Sequence, residues 1–147
     1  MTDFAKYRGA LTRELAVELR HDLRTPVNHI VGYTEMLLED APESDSALRD
    51  SLQAILAGAR EALALINRSV GAADNTVTAE MVEGLFESLR GQQTRIGGAV
   101  ERLLADRGAN GEDAVTHDLR RIQQAAQRLA PAAVGAATAF PVAANGP

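Results

Sequence analysis

The chain has 147 residues, the usual size of a single domain. It carries 15 Lys and Arg against 20 Asp and Glu, a net charge of -5. It therefore lacks the excess of basic residues that favours binding to nucleic acids and anionic membranes. The absence of cysteine excludes a disulfide scaffold, a thiolate metal site and a cysteine nucleophile.

The apolar residues favour helices over sheets. Hydrophobic residues make up 46% of the chain, mainly Ala and Leu, whereas aromatic residues make up 3% and Trp is absent. This composition is typical of helix bundles. No segment reaches the roughly 18 uncharged apolar residues of a membrane span, and no signal-peptide core follows the N-terminus. We therefore expect a soluble, cytoplasmic, all-α protein.

The first predicted helix runs from Leu11 to Asp40 and contains a proline in its interior. Its apolar residues follow heptad spacing along one seam, formed by Ala16, Leu19, Leu23, Pro26, Ile30, Tyr33 and Leu37. Residues 41–46 combine a proline with N-cap residue types, which predicts a loop. The second helix has the seam Leu48, Leu52, Ile55, Ala59, Ala62 and Ile66. Because the loop is short, the two helices form an antiparallel hairpin over residues 1–70.

A second hairpin is predicted over residues 76–134. Either Thr76 or Thr78 could cap its first helix, which has the seam Val82, Leu85, Leu89, Gln92, Ile96, Ala99 and Leu103. Turn residues at 108–111 end that helix. The last helix has the seam Val115, Leu119, Ile122, Ala126 and Leu129. Residues 135–147 are uncharged and rich in Ala, Gly and Pro, which predicts a flexible tail or a linker.

The two hairpins are related as an internal repeat. When residues 14–40 are aligned without gaps on residues 80–106, 10 of the 27 positions are identical. Shared leucines on the seam could arise by convergence, but other identities lie off it, among them Arg24, Gly32, Glu35 and Asp40. The alignment therefore favours duplication of one hairpin.

The most informative motif reads HDLRTPVNHIVGY, from His21 to Tyr33. It resembles the H-box of the dimerisation and phosphoacceptor (DHp, HisKA-type) domain of sensor histidine kinases. That pattern is His, an acidic residue, an aliphatic residue, Arg, Thr or Asn, Pro, an aliphatic residue, two variable positions and Ile. Every defined position is matched. The kinases' separate ATP-binding domain has no counterpart in the sequence, nor does a Walker loop, so no autonomous kinase activity is expected.

His21 is the candidate phosphoacceptor. It lies two positions before the seam residue Leu23, so it faces outward, where a protein partner can reach it. A neutral imidazole can attack phosphorus through one ring nitrogen if another group orients the ring and takes its proton. Asp22 is the neighbouring carboxylate, and the resemblance implies that it is this acid/base partner.

Four neighbours complete the predicted site. Arg20 and Arg24 flank His21 and could neutralise a phosphoryl group. Thr25 follows His21 by four residues on the same face, and in the family this position places a water that hydrolyses the phosphorylated partner. Pro26 removes an amide donor and clashes with the carbonyl of Asp22, which predicts a bend in the helix.

The second repeat lacks this chemistry. At the positions of His21, Asp22, Thr25 and Pro26 it has Glu87, Ser88, Gly91 and Gln92. His21 and His29 have no third ligand at metal spacing. We therefore expect no metal and no cofactor, with Mg²⁺ only on a partner receiver domain or kinase.

The resemblance implies an antiparallel four-helix bundle, which the family assembles by pairing two hairpins in a homodimer. Since this chain carries its own second hairpin, we expect a monomeric pseudodimer. The alternative is a homodimeric bundle flanked by the extra hairpins.

For function, the leading hypothesis is phosphotransfer in a two-component phosphorelay. His21 would exchange a phosphoryl group with a histidine kinase or with the aspartate of a response-regulator receiver domain. The alternative is a non-catalytic docking module, derived from such a domain, that transmits signals to a fused or partner output domain.

Overall fold

The computed structural model describes residues 4–71, 76–106 and 114–131. These contain four α-helices: α1 (Arg13–Asp40), α2 (Ser46–Val70), α3 (Ala79–Asp106) and α4 (Ala114–Ala126). A single 3₁₀ turn, Ala5–Tyr7, precedes them. Within the described ranges there is no β-strand beyond one isolated bridge between Leu11 and Val77. The predicted turn at 108–111 and the predicted tail at 135–147 lie outside the described residues.

The helices close into one four-helix bundle. Each helix packs along two neighbours in the ring order α1, α2, α3, α4 and back to α1. The four positions of the bundle are therefore filled by two hairpins of a single chain, and the predicted all-α, four-helix fold is confirmed.

The predicted seams form the core. All of their residues are buried except Tyr33 and Val115, which are half-buried against it. Leu129 differs from the prediction, because α4 ends at Ala126 and Leu129 lies in the turn beyond it. That turn is tightened by a hydrogen bond from the Leu129 amide to the Ala126 carbonyl, 3.1 Å long. Leu129 is nevertheless fully buried, so the core continues past the helix end.

Side-chain caps define where three of the helices begin. Thr12, Asp45 and Thr78 each accept a hydrogen bond from a backbone amide of the first turn, at 3.1, 3.2 and 3.2 Å. Such a cap contributes about 1 kcal/mol to stability. Of the two threonines that could cap the third helix, Thr78 is therefore the one that does.

The two hairpins meet closely where α2 crosses α3. Gly58 of α2 is buried there, and a Cβ added to it would lie 3.2 Å from Ile96 Cγ1 and 3.3 Å from Gln92 Oε1. The absence of a side chain at this position lets the two helices approach.

Residues 4–11 form an N-terminal strap that joins the first hairpin to the second. Phe4 packs edge-on against Phe86 of α3, with ring centroids 5.6 Å apart. The amide of Leu11 donates to the carbonyl of Val77 at 3.0 Å. Tyr7 lies between these contacts and is fully buried. The sequence patterns did not predict this strap.

Candidate functional site

His21 lies on the outer face of α1. The seam residues on either side of it, Leu19 and Leu23, are fully buried, whereas 81% of the His21 side chain is exposed. The predicted outward placement of His21 follows directly from that seam. A large partner can reach the ring without disturbing the core.

Asp22 brings a carboxylate beside the imidazole. Its Oδ1 lies 3.9 Å from His21 Nδ1, and its side chain is 30% exposed. The second oxygen, Oδ2, accepts a hydrogen bond from the hydroxyl of Tyr7. The two carboxylate oxygens therefore face different partners, one toward the imidazole and one toward the strap.

The sequence patterns did not predict the contact of Tyr7 with Asp22. Tyr7 precedes the motif by 14 residues and belongs to no heptad seam. The one available signal was its rarity, because the chain has only two tyrosines.

The two arginines that flank His21 are held at the end of α2. Arg20 Nη1 donates to the carbonyls of Val70 and Gly71, at 3.3 and 2.7 Å. Arg24 donates through Nε to Asn67 Oδ1 at 3.0 Å and through a second guanidinium nitrogen to the same oxygen. Arg20 satisfies free backbone carbonyls at the C-terminus of α2, and Arg24 bonds to the side-chain amide oxygen of Asn67 in the last turn of that helix. Both arginines therefore have a structural role in joining α1 to α2. Their predicted neutralisation of a phosphoryl group stays a prediction.

The second hairpin shows a related arrangement. Arg90, the counterpart of Arg24, donates through Nη1 to the carbonyl of Pro131 at 3.2 Å. In both repeats this arginine ties the first helix to the chain at the end of the second, which agrees with duplication.

Thr25 and Pro26 lie one turn after His21. Thr25 is exposed, and its hydroxyl donates to the carbonyl of His21 at 2.9 Å. Pro26 is buried on the core side, and α1 is continuous through it from Arg13 to Asp40. The predicted roles of Thr25 in placing a water and of Pro26 in bending the helix stay predictions.

A groove of about 570 Å³ lies farther along, between α1 and α4. Phe4, Tyr33 and Pro131 form apolar parts of its wall, and His29 and Arg128 form polar parts, with 3.4 Å between His29 Nδ1 and Arg128 Nη2. Among the described residues, no group of three His, Asp or Glu side chains could hold a metal ion.

The counterpart of the site on α3 has different chemistry. Glu87 and Ser88 replace His21 and Asp22, and both are exposed. On the two equivalent helices, the described residues thus place one imidazole, that of His21, beside an oriented carboxylate. This arrangement can accept a group transferred to a ring nitrogen and remove a proton from the other nitrogen.

Comparison with known proteins agrees with this geometry for the first hairpin. Residues 12–70 match the family described as the His Kinase A (phospho-acceptor) domain. The match contains the whole of α1 and α2, so it confirms the resemblance seen from His21 to Tyr33. No ATP-binding domain is matched. The search of curated proteins and the search of solved structures found no match.

No helix in the described part of the chain combines the length and the apolar character that a membrane crossing demands.

Proposed function

We propose that the chain is a histidine phosphotransfer module, in which His21 accepts a phosphoryl group and passes it on. The observation that carries the proposal is the phospho-acceptor family match over residues 12–70, which contains a largely exposed His21 beside the carboxylate of Asp22. The donor is a histidine kinase or the aspartyl phosphate of a receiver domain.

The transfer step uses both ring nitrogens. The Nε2 lone pair of His21 attacks phosphorus and forms the N–P bond, while the bond from phosphorus to the donor oxygen breaks and its electron pair leaves with that oxygen. The Nδ1 proton passes to Asp22 Oδ1. Nδ1 and Oδ1 lie 3.9 Å apart, so the proton transfer requires the exposed His21 ring to move closer to Asp22. Any Mg²⁺ for the transfer belongs to the partner.

The two unlike hairpins imply one phosphoryl group for each bundle. His21 has Glu87 as its counterpart, and a carboxylate at that position is not a phosphoacceptor of this kind. Since both hairpins belong to the same chain, we also propose that the module is a monomer. A partner would then meet a single phosphorylated face.

The test is intact-mass spectrometry after incubation with phosphoramidate, at a neutral to basic pH at which phosphohistidine survives. In this reaction the P–N bond of the donor breaks and ammonia leaves. We expect the parent to gain the mass of one phosphoryl group and His21→Gln to gain none. His29→Gln is the matched control, because His29 is also exposed on α1, and it should be labelled like the parent. Equal labelling of His21→Gln and the parent would contradict the proposal.

The second candidate function is a non-catalytic docking module. It is favoured by the contacts of Arg20 and Arg24, whose guanidinium groups are bonded to α2 rather than turned toward the imidazole. A docking module would tolerate Asp22→Ala and Thr25→Ala without a functional change. In a phosphotransfer module, Asp22→Ala slows labelling by about 100-fold, the usual contribution of a positioned general base.

A further inference from the structure

The carboxylate of Asp22 must hold one orientation if it is to receive the Nδ1 proton of His21. An aspartate carboxylate rotates broadly about its last torsion, so an unrestrained group presents its oxygens in many directions. The Asp22 side chain is 30% exposed.

The hydroxyl of Tyr7 supplies this restraint. It donates a hydrogen bond to Oδ2 of Asp22, and the opposite oxygen, Oδ1, is the one that faces His21. Hydrogen bonds to carboxylates are among the strongest in proteins, because the acceptor is charged. We propose that Tyr7 is a positioning residue, whose hydroxyl holds the Asp22 carboxylate so that Oδ1 orients the His21 ring and receives its Nδ1 proton.

The position of Tyr7 is itself fixed by the second hairpin. Tyr7 is fully buried, and the amide of Tyr7 donates to the carbonyl of Phe4 at 3.0 Å. Phe4 packs on Phe86, and Leu11 pairs with Val77. The strap is therefore attached on both sides of Tyr7 to the repeat that lacks a phosphoacceptor.

This attachment depends on a residue that differs between the repeats. Phe86 occupies the position equivalent to Arg20. In the first repeat Arg20 bonds to the end of α2, whereas in the second repeat the aromatic ring packs against Phe4. The divergence at this position thus supports the active site of the other repeat.

The inference rests on the proposed function, but it also makes a prediction about the unphosphorylated protein. The proton of a neutral imidazole resides on the nitrogen that has a hydrogen-bond acceptor. In the parent, we expect the His21 ring to carry its proton on Nδ1, which leaves the Nε2 lone pair free to attack. Two-bond ¹H–¹⁵N correlation spectra distinguish the two tautomers, with His29 and His117 as internal references.

Tyr7→Phe removes only the hydroxyl and keeps the buried ring. We expect it to shift His21 toward the Nε2–H tautomer and to slow phosphoramidate labelling by about 10-fold, a fraction of the effect of a complete general base. Tyr33→Phe is the matched control, since Tyr33 is the other tyrosine of the chain and lies about three turns past Asp22 on α1. It should change neither the tautomer nor the labelling rate.

A double-mutant cycle separates positioning from a general structural effect. If Tyr7 acts through Asp22, Tyr7→Phe changes the labelling rate by less than about twofold once Asp22 is alanine. An equal slowing in both backgrounds would overturn the proposal, as would a parent His21 that is protonated on Nε2. If Tyr7→Phe does not fold, as checked by circular dichroism, the tautomer of His21 in the parent still tests the proposal, because a proton on Nε2 would overturn it.

Failure of the proposed function gives a different result. A parent that phosphoramidate does not label, but whose His21 tautomer shifts in Tyr7→Phe, would refute phosphotransfer and retain the positioning contact. Conversely, normal labelling of the parent with an unchanged tautomer and rate in Tyr7→Phe would refute the positioning role alone.

Discussion

The contact between the hairpins at Gly58 gives a direct test of the single-chain bundle. Gly58→Ala adds a methyl group that would stand 3.2 Å from Ile96 Cγ1 and 3.3 Å from Gln92 Oε1, across the α2–α3 contact. Gly32→Ala adds the same group to an exposed position of α1, where nothing lies within 4 Å. The two variants share the change in helix propensity and differ in what the methyl group meets.

The two variants are expected to change the free energy of unfolding in opposite directions. Replacing glycine with alanine inside a helix stabilises by about 1 kcal/mol, and Gly32→Ala should gain this amount. At Gly58 the same gain is opposed by overpacking, which costs about 1–3 kcal/mol in a filled core. We therefore expect Gly58→Ala to lower the free energy of unfolding by about 1 kcal/mol, which places the two variants about 2 kcal/mol apart.

Denaturant unfolding followed by circular dichroism measures this difference. For a chain of this size, 2 kcal/mol corresponds to a difference in Tm of about 4–8 °C. If Gly58→Ala proves as stabilising as Gly32→Ala, the added methyl group meets open space. The two hairpins then do not pack against each other as described, and the bundle is not closed within one chain.

Three further predictions concern the core, the helix ends and the oligomeric state. Gln92→Met should stabilise the protein by about 1 kcal/mol in the same unfolding assay, because Gln92 Oε1 is buried without a hydrogen-bond partner. Gln93→Met should destabilise it by a similar amount, because Gln93 Nε2 donates to the Ala126 carbonyl at 2.9 Å. A Gln93→Met variant more stable than Gln92→Met would refute this prediction. Arg20→Ala should lower the free energy of unfolding by about 1–2 kcal/mol through the loss of its bonds to Val70 and Gly71, and unchanged stability would contradict its structural role. Light scattering should give the monomer mass of 15.6 kDa, whereas a dimer mass would support the homodimeric alternative.

The fold was predictable because heptad patterning carries most of the information in a helix bundle. A seam such as Leu19, Leu23 and Ile30 specifies which face of α1 is buried, and the same seam fixes His21 on the opposite side. Loop residues such as Asp45 mark the helix ends through local hydrogen bonds. These are short-range properties, so one sequence is sufficient to reveal them.

The candidate site was only partly predictable, because its remaining contacts join residues that are far apart in the chain. The partner of Asp22 is Tyr7, and the partners of Arg20 lie about 50 residues beyond it at the end of α2. No periodicity encodes such contacts. The early end of α4 before Leu129 was missed for a related reason, since a buried leucine after a helix continues the apolar spacing of the helix itself.

The separation between seam and outer face shows how the second hairpin can lack the histidine while the bundle keeps its form. Leu23 and Leu89 occupy equivalent core positions, whereas His21 and Glu87 occupy equivalent surface positions that contribute nothing to closing the bundle. A substitution at the surface position therefore has little effect on the free energy of unfolding. On α3, Phe86 is buried and packs against Phe4, so the second hairpin holds the strap that carries Tyr7. If Tyr7 positions Asp22 as proposed, the second hairpin supports the single site on α1 through the strap, although it has no histidine at the position equivalent to His21.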